Sequence, residues 1–395
     1  MRAHTRPLSA VVDGALDLND VAGGDGYLFV RDGVGIAGRG VAARVPLADV
    51  AAALAAIEHV DEVGGVQPTA LGVVPFEAGL PCELVIPKVL VGKAADGRQW
   101  VTTIDDAPVD LRPALRPAPR AQAFTVAPLT LIDRYLAAVT AARDAVRDGR
   151  LTKAVIAREV TVDSPEPIDV HAVLLRLKAT FGSSYRYSVD GFIGASPELL
   201  ITVAGNHVRS LPLAGTTPRT GDPETDQRAA EELLASEKNQ IEHRVVIDMI
   251  HDTLLPWCSY LDWEPEPSII RVANVQHLGT ALEGHLSDPR PNVLELVTAL
   301  SPTPALGGFP KAAALTLIAE AEGFVRGNYG GAVGWVDAAG DGTWAVAIRC
   351  AQLSDDRRSA RLVAGGGIVA DSEPLSELAE TQAKLQAMLS AIVRP

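Results

Sequence analysis

The chain has 395 residues, 47% hydrophobic and 21% charged, enough to bury a sizeable core as one large domain or as a small domain packed on a larger one. Its 35 Lys and Arg against 49 Asp and Glu leave a net charge of −14, which argues against nucleic acid and anionic lipid as partners unless a local basic patch overrides it, and none is visible. An anionic small molecule would need a metal ion or a few buried cations to hold it.

In chain order, the strand-like runs YLFVRDGVGIAG, ALGVVPF and CELVIPKVLVG come first, with one helical run, LADVAAALAAIEHV, among them. Residues 107–130, APVDLRPALRPAPRAQAFTVAPLT, are rich in Pro, Arg and Ala without sustained periodicity and read as a connection over the surface. Leu131 to Asp148 reads as a helix, and LTKAVIAREVTV as an apolar strand with one interruption. YRYSVDGFIGAS and PELLITVAGNHVRSL are hairpin-like, with Gly205-Asn206 supplying a turn. A long helix is predicted from about Pro223 to Leu255. TWAVAIRCAQLS and SARLVAGGGIVA are closing strands before a final helix from about Pro374 to Ile392. Strands interleaved with long helices, without strict βαβ alternation or internal repeat, point to an α+β fold with largely antiparallel sheets.

Three cysteines, Cys82, Cys258 and Cys350, are far apart and show no CxxC spacing. Neither disulfides nor a zinc site is expected, and a reducing cytoplasm fits. The N-terminal residues lack the apolar stretch of a signal peptide, and no run of about eighteen apolar residues occurs, so a soluble, unanchored protein with no membrane association is expected.

Several residues break their local pattern. On the last helix Glu377, Glu380 and Lys384 share one face beside the apolar stripe Leu378, Leu385, Leu389 and Ile392. That row is either a solvated face with Glu380 and Lys384 paired, or a set of carboxylates for a hard cation. Glu242 lies between Ile241 and Val245-Val246, near the seam where an amphipathic helix turns inward, and a charge there is costly unless paired or metal-bound. Lys153 interrupts TKAVIA as an edge gatekeeper or a desolvated base. Glu198 stands in FIGASPELLI, otherwise free of charge, where a carboxyl tends to stay protonated and can donate. In WAVAIRC, strand alternation sets Arg349 on the face of Ala345 and Ala347, with room to meet an anion. The triplet Gly365-Gly366-Gly367 is a bend or bulge, or brings backbone N–H groups against a carboxylate.

Taken together, KAVIAR, FIGASPELL, PLAGT, SEKNQIEH, QHLGT, SPTPALGGFP, EGFVRGNYGGAVGW, GDGTWAVAIR, AGGGIV and ELAETQAK resemble the chorismate-utilising enzymes, the isochorismate, salicylate, anthranilate and aminodeoxychorismate synthases. The blocks keep family order from Lys153 to Lys384, about three-fifths of the chain. The resemblance implies a single large domain of two mostly antiparallel β-sheets flanked by helices, like component I of anthranilate synthase, with the site in a cleft between the sheets. Residues 1–125 would be the variable N-terminal portion of the same fold and 126–395 the chorismate-binding catalytic region.

By the same resemblance Glu242 and Glu380 are ligands of Mg²⁺, with Glu377 beside the metal. Arg349, Tyr329 and Lys384, with backbone N–H groups near Gly215 and Gly366, orient the substrate; Thr216, Ala305 and Leu306 line its site, and His277 of QHLGT lies near the ring as a catalytic candidate alongside Lys153 and Glu198, the alternative being a core histidine satisfied by a backbone partner. Water-adding members carry Lys where amine-adding members usually carry Gln, and Lys153 stands there, which implies Lys153 as general base and Glu198 as general acid. A free lysine is protonated at neutral pH, so burial or a neighbouring cation has to favour its neutral form. Ala305-Leu306 is similar to isochorismate synthases, whereas salicylate synthases commonly carry Thr at the position of Ala305. The implied reaction is therefore conversion of chorismate to isochorismate, with salicylate formation as the alternative, and anthranilate-type chemistry or a non-catalytic chorismate-binding role behind it. Two departures are Ser301, before PTPA, where a His or similar polar residue is usual, and Asn328, where an aromatic is expected. A monomer without an obligatory glutaminase subunit is expected, and the product's pathway, menaquinone, siderophore or another, is left open.

Overall fold

The computed structural model describes residues 1–111, 123–273 and 275–394. The middle of the Pro- and Arg-rich stretch lies outside the described residues; its end, Thr125–Pro128, is a short strand.

Two Asp-Gly turns show how local chemistry starts the sheets. Asp32-Gly33 (φ 51° and 79°) and Asp190-Gly191 (φ 47° and 75°) are left-handed, as a two-residue type I′ hairpin requires. They join Tyr27–Arg31 to Val34–Pro46 and Tyr185–Val189 to Phe192–Ser196.

Strand Glu83–Lys93 is where the sheet forks. Along one edge it pairs with Val34–Pro46. Along the other, Leu84 and Val85 pair with Thr69–Val74, whereas Val89 to Lys93 pair with Gln99–Ile104. Pro87, with no N–H to donate, lies between the two pairings. One antiparallel arm continues from Val34–Pro46 through Tyr27–Arg31, Tyr185–Val189, Phe192–Ser196, Cys350–Leu353 and Ser359–Ile368 to Lys153–Asp163. The other runs from Thr69–Val74 through Ala332–Asp337, Gly342–Val346, Leu199–Ala204, His207–Leu211 and Leu282–Leu286 to Cys258–Trp263. The fork joins both into one hydrogen-bonded network. A separate three-stranded sheet holds Leu213–Pro218, Val275–Gly279 and Ser268–Arg271.

Helix Pro374–Val393 packs on Ser359–Ile368, and helices Ile132–Arg147 and Lys311–Glu322 pack on Lys153–Asp163. The expected α+β architecture of two large, mostly antiparallel sheets flanked by helices is what these pairings build. Among the described residues no helix is long and apolar enough to cross a membrane.

Three elements differ from the sequence reading. The helix expected from Pro223 to Leu255 is two, Pro223–Ala235 and Glu237–Leu254, broken at Ser236, whose extended backbone ends the first and whose hydroxyl accepts from Asn239 N–H to cap the second. The helical run LADVAAALAAIEHV shortens to Val50–Ala55, and Glu58–Asp61 becomes a strand because it pairs in parallel with Arg2–Pro7. The strand expected through Arg349 stops at Val346 and resumes at Cys350, with Arg349 left-handed at φ 52°. Strand alternation therefore does not aim its side chain.

Candidate active site

One cavity gathers residues from both arms, from the small sheet and from two helices. Lys153, Glu198, Gly215, Thr216, Glu242, His277, Ala305, Leu306, Tyr329, Arg349, Glu377, Glu380 and Lys384 all line it. Of the site residues read from the sequence, Gly366 alone does not, although its neighbours Gly365 and Gly367 do. Neither departure from the family pattern reaches the lining. Ser301 lines a separate, more apolar cavity, and Asn328 lines a small one where its side-chain amide donates to Gln352 at 3.3 Å.

Lys153 begins the last long strand of the first arm, where it pairs with Phe309 on the side away from Ser359–Ile368, and is 2% exposed, with its ammonium 2.8 Å from Glu242 Oε1. Glu242 sits on helix Glu237–Leu254 with its side chain 12% exposed, while Val246 of the same helix is buried and Ile241 turns to solvent. Strand Ser359–Ile368 makes room for this pair by having no side chains where it passes. A Cβ at Gly367 would come within 2.5 Å of Glu242 Oε1 and 2.7 Å of Lys153 Cε. One at Gly366, on the other face of the strand, would come within 2.8 Å of Glu377 Oε2 and 3.8 Å of Glu380 Oε1. The triplet is neither a bend nor a bulge; it is regular strand paired in register with Val155 to Ala157. What it supplies is close approach of acidic side chains from either side.

Glu198 comes from the second arm, immediately before Leu199–Ala204, and is 3% exposed. Burial pushes its carboxyl up to about 7, against the pull of a backbone N–H from Leu213 at 3.4 Å and the positive charges of Lys153, Arg349 and Lys384. Burial, helped by Arg349 and Lys384, holds the His277 imidazole well below its ordinary range. Its Nδ1 lies 3.1 Å from Thr216 Oγ1 and 3.2 Å from the carbonyl of Gly215, and Arg349 Nη2 lies 3.2 Å from its Nε2. Gly215 is left-handed at φ 69°, at a register shift in its strand, with Asn239 3.2 Å from where a Cβ would stand.

The charges lining the cavity nearly cancel. With Glu198 protonated, the carboxylates of Glu242, Glu377 and Glu380 face the cations Lys153, Arg349 and Lys384. A doubly anionic ligand would upset this balance, and a bound dication would restore it. Three carboxylates are hard-oxygen donors of the kind Mg²⁺ takes, and the glycine strand lets them approach, so the residues fit such an ion. As placed, Glu242 is paired with Lys153 and Glu380 with Lys384 at 2.6 Å, and Lys384 also donates to the carbonyl of Gly365 at 2.9 Å. Correspondingly, no three His, Cys, Asp or Glu side chains among the described residues stand close enough to hold an ion without rearranging.

Sequence reasoning missed the brace behind the site. Arg326 and Glu322, both buried, form a doubly hydrogen-bonded pair at 2.9 and 2.5 Å. The guanidinium also donates to the carbonyls of Leu306 and Val155, each at 2.8 Å, and Glu322 accepts from Ala157 N–H at 2.7 Å. One ion pair thereby fixes the Ala305-Leu306 loop to the strand that carries Lys153. The four-residue spacing of Glu322 and Arg326 was visible, but nothing local marked it as buried.

A family model described as chorismate binding enzyme matches residues 84–393, and the chain belongs to that family. It is 37% identical over 348 residues to the isochorismate synthase DhbC of Bacillus subtilis, covering 85% of this chain and 84% of that one. The menaquinone-specific isochorismate synthase MenF of Escherichia coli superposes with a TM-score of 0.84 over 100% of this chain and 94% of that one at 23% identity. Anthranilate synthase component I of Streptococcus pneumoniae superposes at 0.70, also at 23% identity, over 98% and 92%. At that identity both structures speak for the fold alone.

Proposed function

We propose that this chain is an isochorismate synthase, converting chorismate to isochorismate by adding water at C2 and releasing the C4 hydroxyl. The observation that carries this reading is the pairing, in one cavity, of a buried lysine from the first arm with a buried carboxyl from the second that burial holds near neutrality. In the proposed reaction the Lys153 ammonium, now paired with Glu242, first gives up a proton to solvent; the neutral amine then accepts one from the attacking water while Glu198 gives one to the departing hydroxyl, which leaves as water. Arg349, buried and bonded to a neutral imidazole, receives a substrate carboxylate, with Tyr329 and Lys384 alongside. Ala305 and Leu306 give the ring an apolar wall, and the backbone around Gly215, Thr216 and Gly366 completes the cradle.

Glu242, Glu377 and Glu380 would hold a Mg²⁺ ion, which supplies the counter-charge for a substrate carboxylate in this acidic site. Glu242 would be shared between that role and its present ion pair with Lys153. The apolar Ala305 favours isochorismate over salicylate as the released product. A cytoplasmic enzyme that needs no glutaminase subunit completes the proposal.

The test is incubation of the purified protein with chorismate and Mg²⁺, with and without ammonium, followed by chromatographic separation of the products. Isochorismate in both arms is the expected result. Salicylate with pyruvate, anthranilate in the ammonium arm, or unchanged chorismate would each overturn the assignment.

A further inference from the structure

Arg349 is a buried cation with no carboxylate within salt-bridge distance among the described residues, and its guanidinium bonds instead to His277. A guanidinium donates at every nitrogen, so Nε2 of His277 has to be the acceptor. A neutral imidazole that accepts at Nε2 carries its proton on Nδ1, and that proton points to the carbonyl of Gly215, with the Thr216 hydroxyl beside it. Protonating Nε2 would set an N–H against the N–H of Arg349, and the positive charge of Lys384 also opposes it. Both ring nitrogens are thus committed, and neither is free to exchange a proton with a substrate. The Arg349 backbone is pinned as well, since its carbonyl accepts from Ala195 N–H at 3.1 Å while the residue itself is left-handed.

We infer that His277 is a positioning residue for Arg349 and not a proton carrier, transmitting the position of the Gly215-Thr216 strand to the guanidinium that meets the substrate. This rests on the reading above that Arg349 receives a chorismate carboxylate. The imidazole holds the guanidinium at Nη2, and the residue lines the cavity with no other side-chain hydrogen bond seen among the described residues.

The experiment compares wild type, His277→Gln, His277→Phe, Arg349→Gln and the double variant His277→Phe/Arg349→Gln, measuring kcat and KM for chorismate from about pH 6 to 9. His277→Phe should raise KM about tenfold or more, the cost of one hydrogen bond to a charged group, with a smaller loss in kcat. His277→Gln, whose side-chain carbonyl can still accept from Arg349, should recover most of that loss and keep the wild-type pH profile. In the Arg349→Gln background the Phe substitution should add little. A His277→Gln enzyme that loses kcat more than about a hundredfold at unchanged KM, or loses one limb of the pH profile, would show a proton carrier and overturn the inference. Full multiplication of the two losses in the double variant would overturn it too. Thermal midpoints identify any variant that fails to fold, in which case His277→Gln alone carries the test. Wild-type turnover in parallel separates failure of this inference from failure of the assignment itself.

Discussion

Two buried ion pairs flank the same strand and are built in opposite ways. Arg326 and Glu322 satisfy each other twice and spend their remaining capacity on the backbone of Leu306, Val155 and Ala157. Lys153 has three donors, yet Glu242 is the one partner seen for it among the described residues. A fully satisfied buried pair resists rearrangement, whereas an under-satisfied one is ready to exchange its partner for something that arrives. The first is a brace and the second lines the cavity proposed as the active site. The difference lies in hydrogen-bond completeness, since both pairs are largely shielded from solvent and both involve the strand Lys153–Asp163.

The largest expected effect breaks the second pair. Lys153→Ala should reduce isochorismate formation by about a thousandfold or more while circular dichroism and the thermal midpoint show a folded protein, as for loss of a general base. Retained turnover would remove Lys153 from that role. Breaking the brace should do the reverse. Glu322→Gln leaves Arg326 as an uncompensated buried cation, so denaturant unfolding should show a loss of about 3–5 kcal/mol. A smaller cost would mean that the backbone carbonyls alone hold the guanidinium.

Glu198 sharpens the comparison because it is a buried carboxyl with no ion-pair partner among the described residues. Its carboxyl is raised in the folded state, so the stability it contributes is present below its unfolded value and is lost as pH climbs through about 7. Glu198→Gln removes that penalty. By pH 8 the variant should be more stable than wild type by up to about 3 kcal/mol, and the two should converge below the unfolded carboxyl value of 4.5. If Glu198 is the acid, the same substitution should lower kcat by about a hundredfold or more, and wild-type activity should fall on the alkaline side of about 7 in the free enzyme. Equal stability at both pH values would show that the carboxyl is ionised without cost.

The smallest effect concerns Glu380 and Lys384, a pair one turn apart whose side chains are partly exposed. Glu380→Gln should change stability by less than about 1 kcal/mol. If Glu380 is a metal ligand, the same variant should nevertheless bind Mg²⁺ more weakly by calorimetry. Unaltered Mg²⁺ affinity would leave this carboxylate with its helical partner only.

Much of the site was legible because its residues violate their surroundings. Lys153 in an apolar run, Glu198 in an uncharged segment and Glu242 at a helix seam are each costly where they stand, and such costs are visible in one dimension. The break at Ser236 was not, because serine flanked by helix formers reads as continuous helix until its hydroxyl is seen capping Asn239. Arg349 lines the cavity, but not for the reason strand alternation offered, since the strand that was to orient it ends three residues earlier. Glu322 and Arg326 looked like an ordinary surface spacing.

By itself the sequence determined the α+β class, the antiparallel strands and turns, the family, and which charged residues stand where a charge is costly. These follow from local periodicity, turn geometry and ordered motifs. Only the tertiary structure decided which charge meets which, that Glu242 faces Lys153, that Arg349 leans on His277, and that a strand of glycines lets acidic groups from two helices come close on either side of it. Pairing across a fold depends on register and burial, and neither is written in the spacing along one chain.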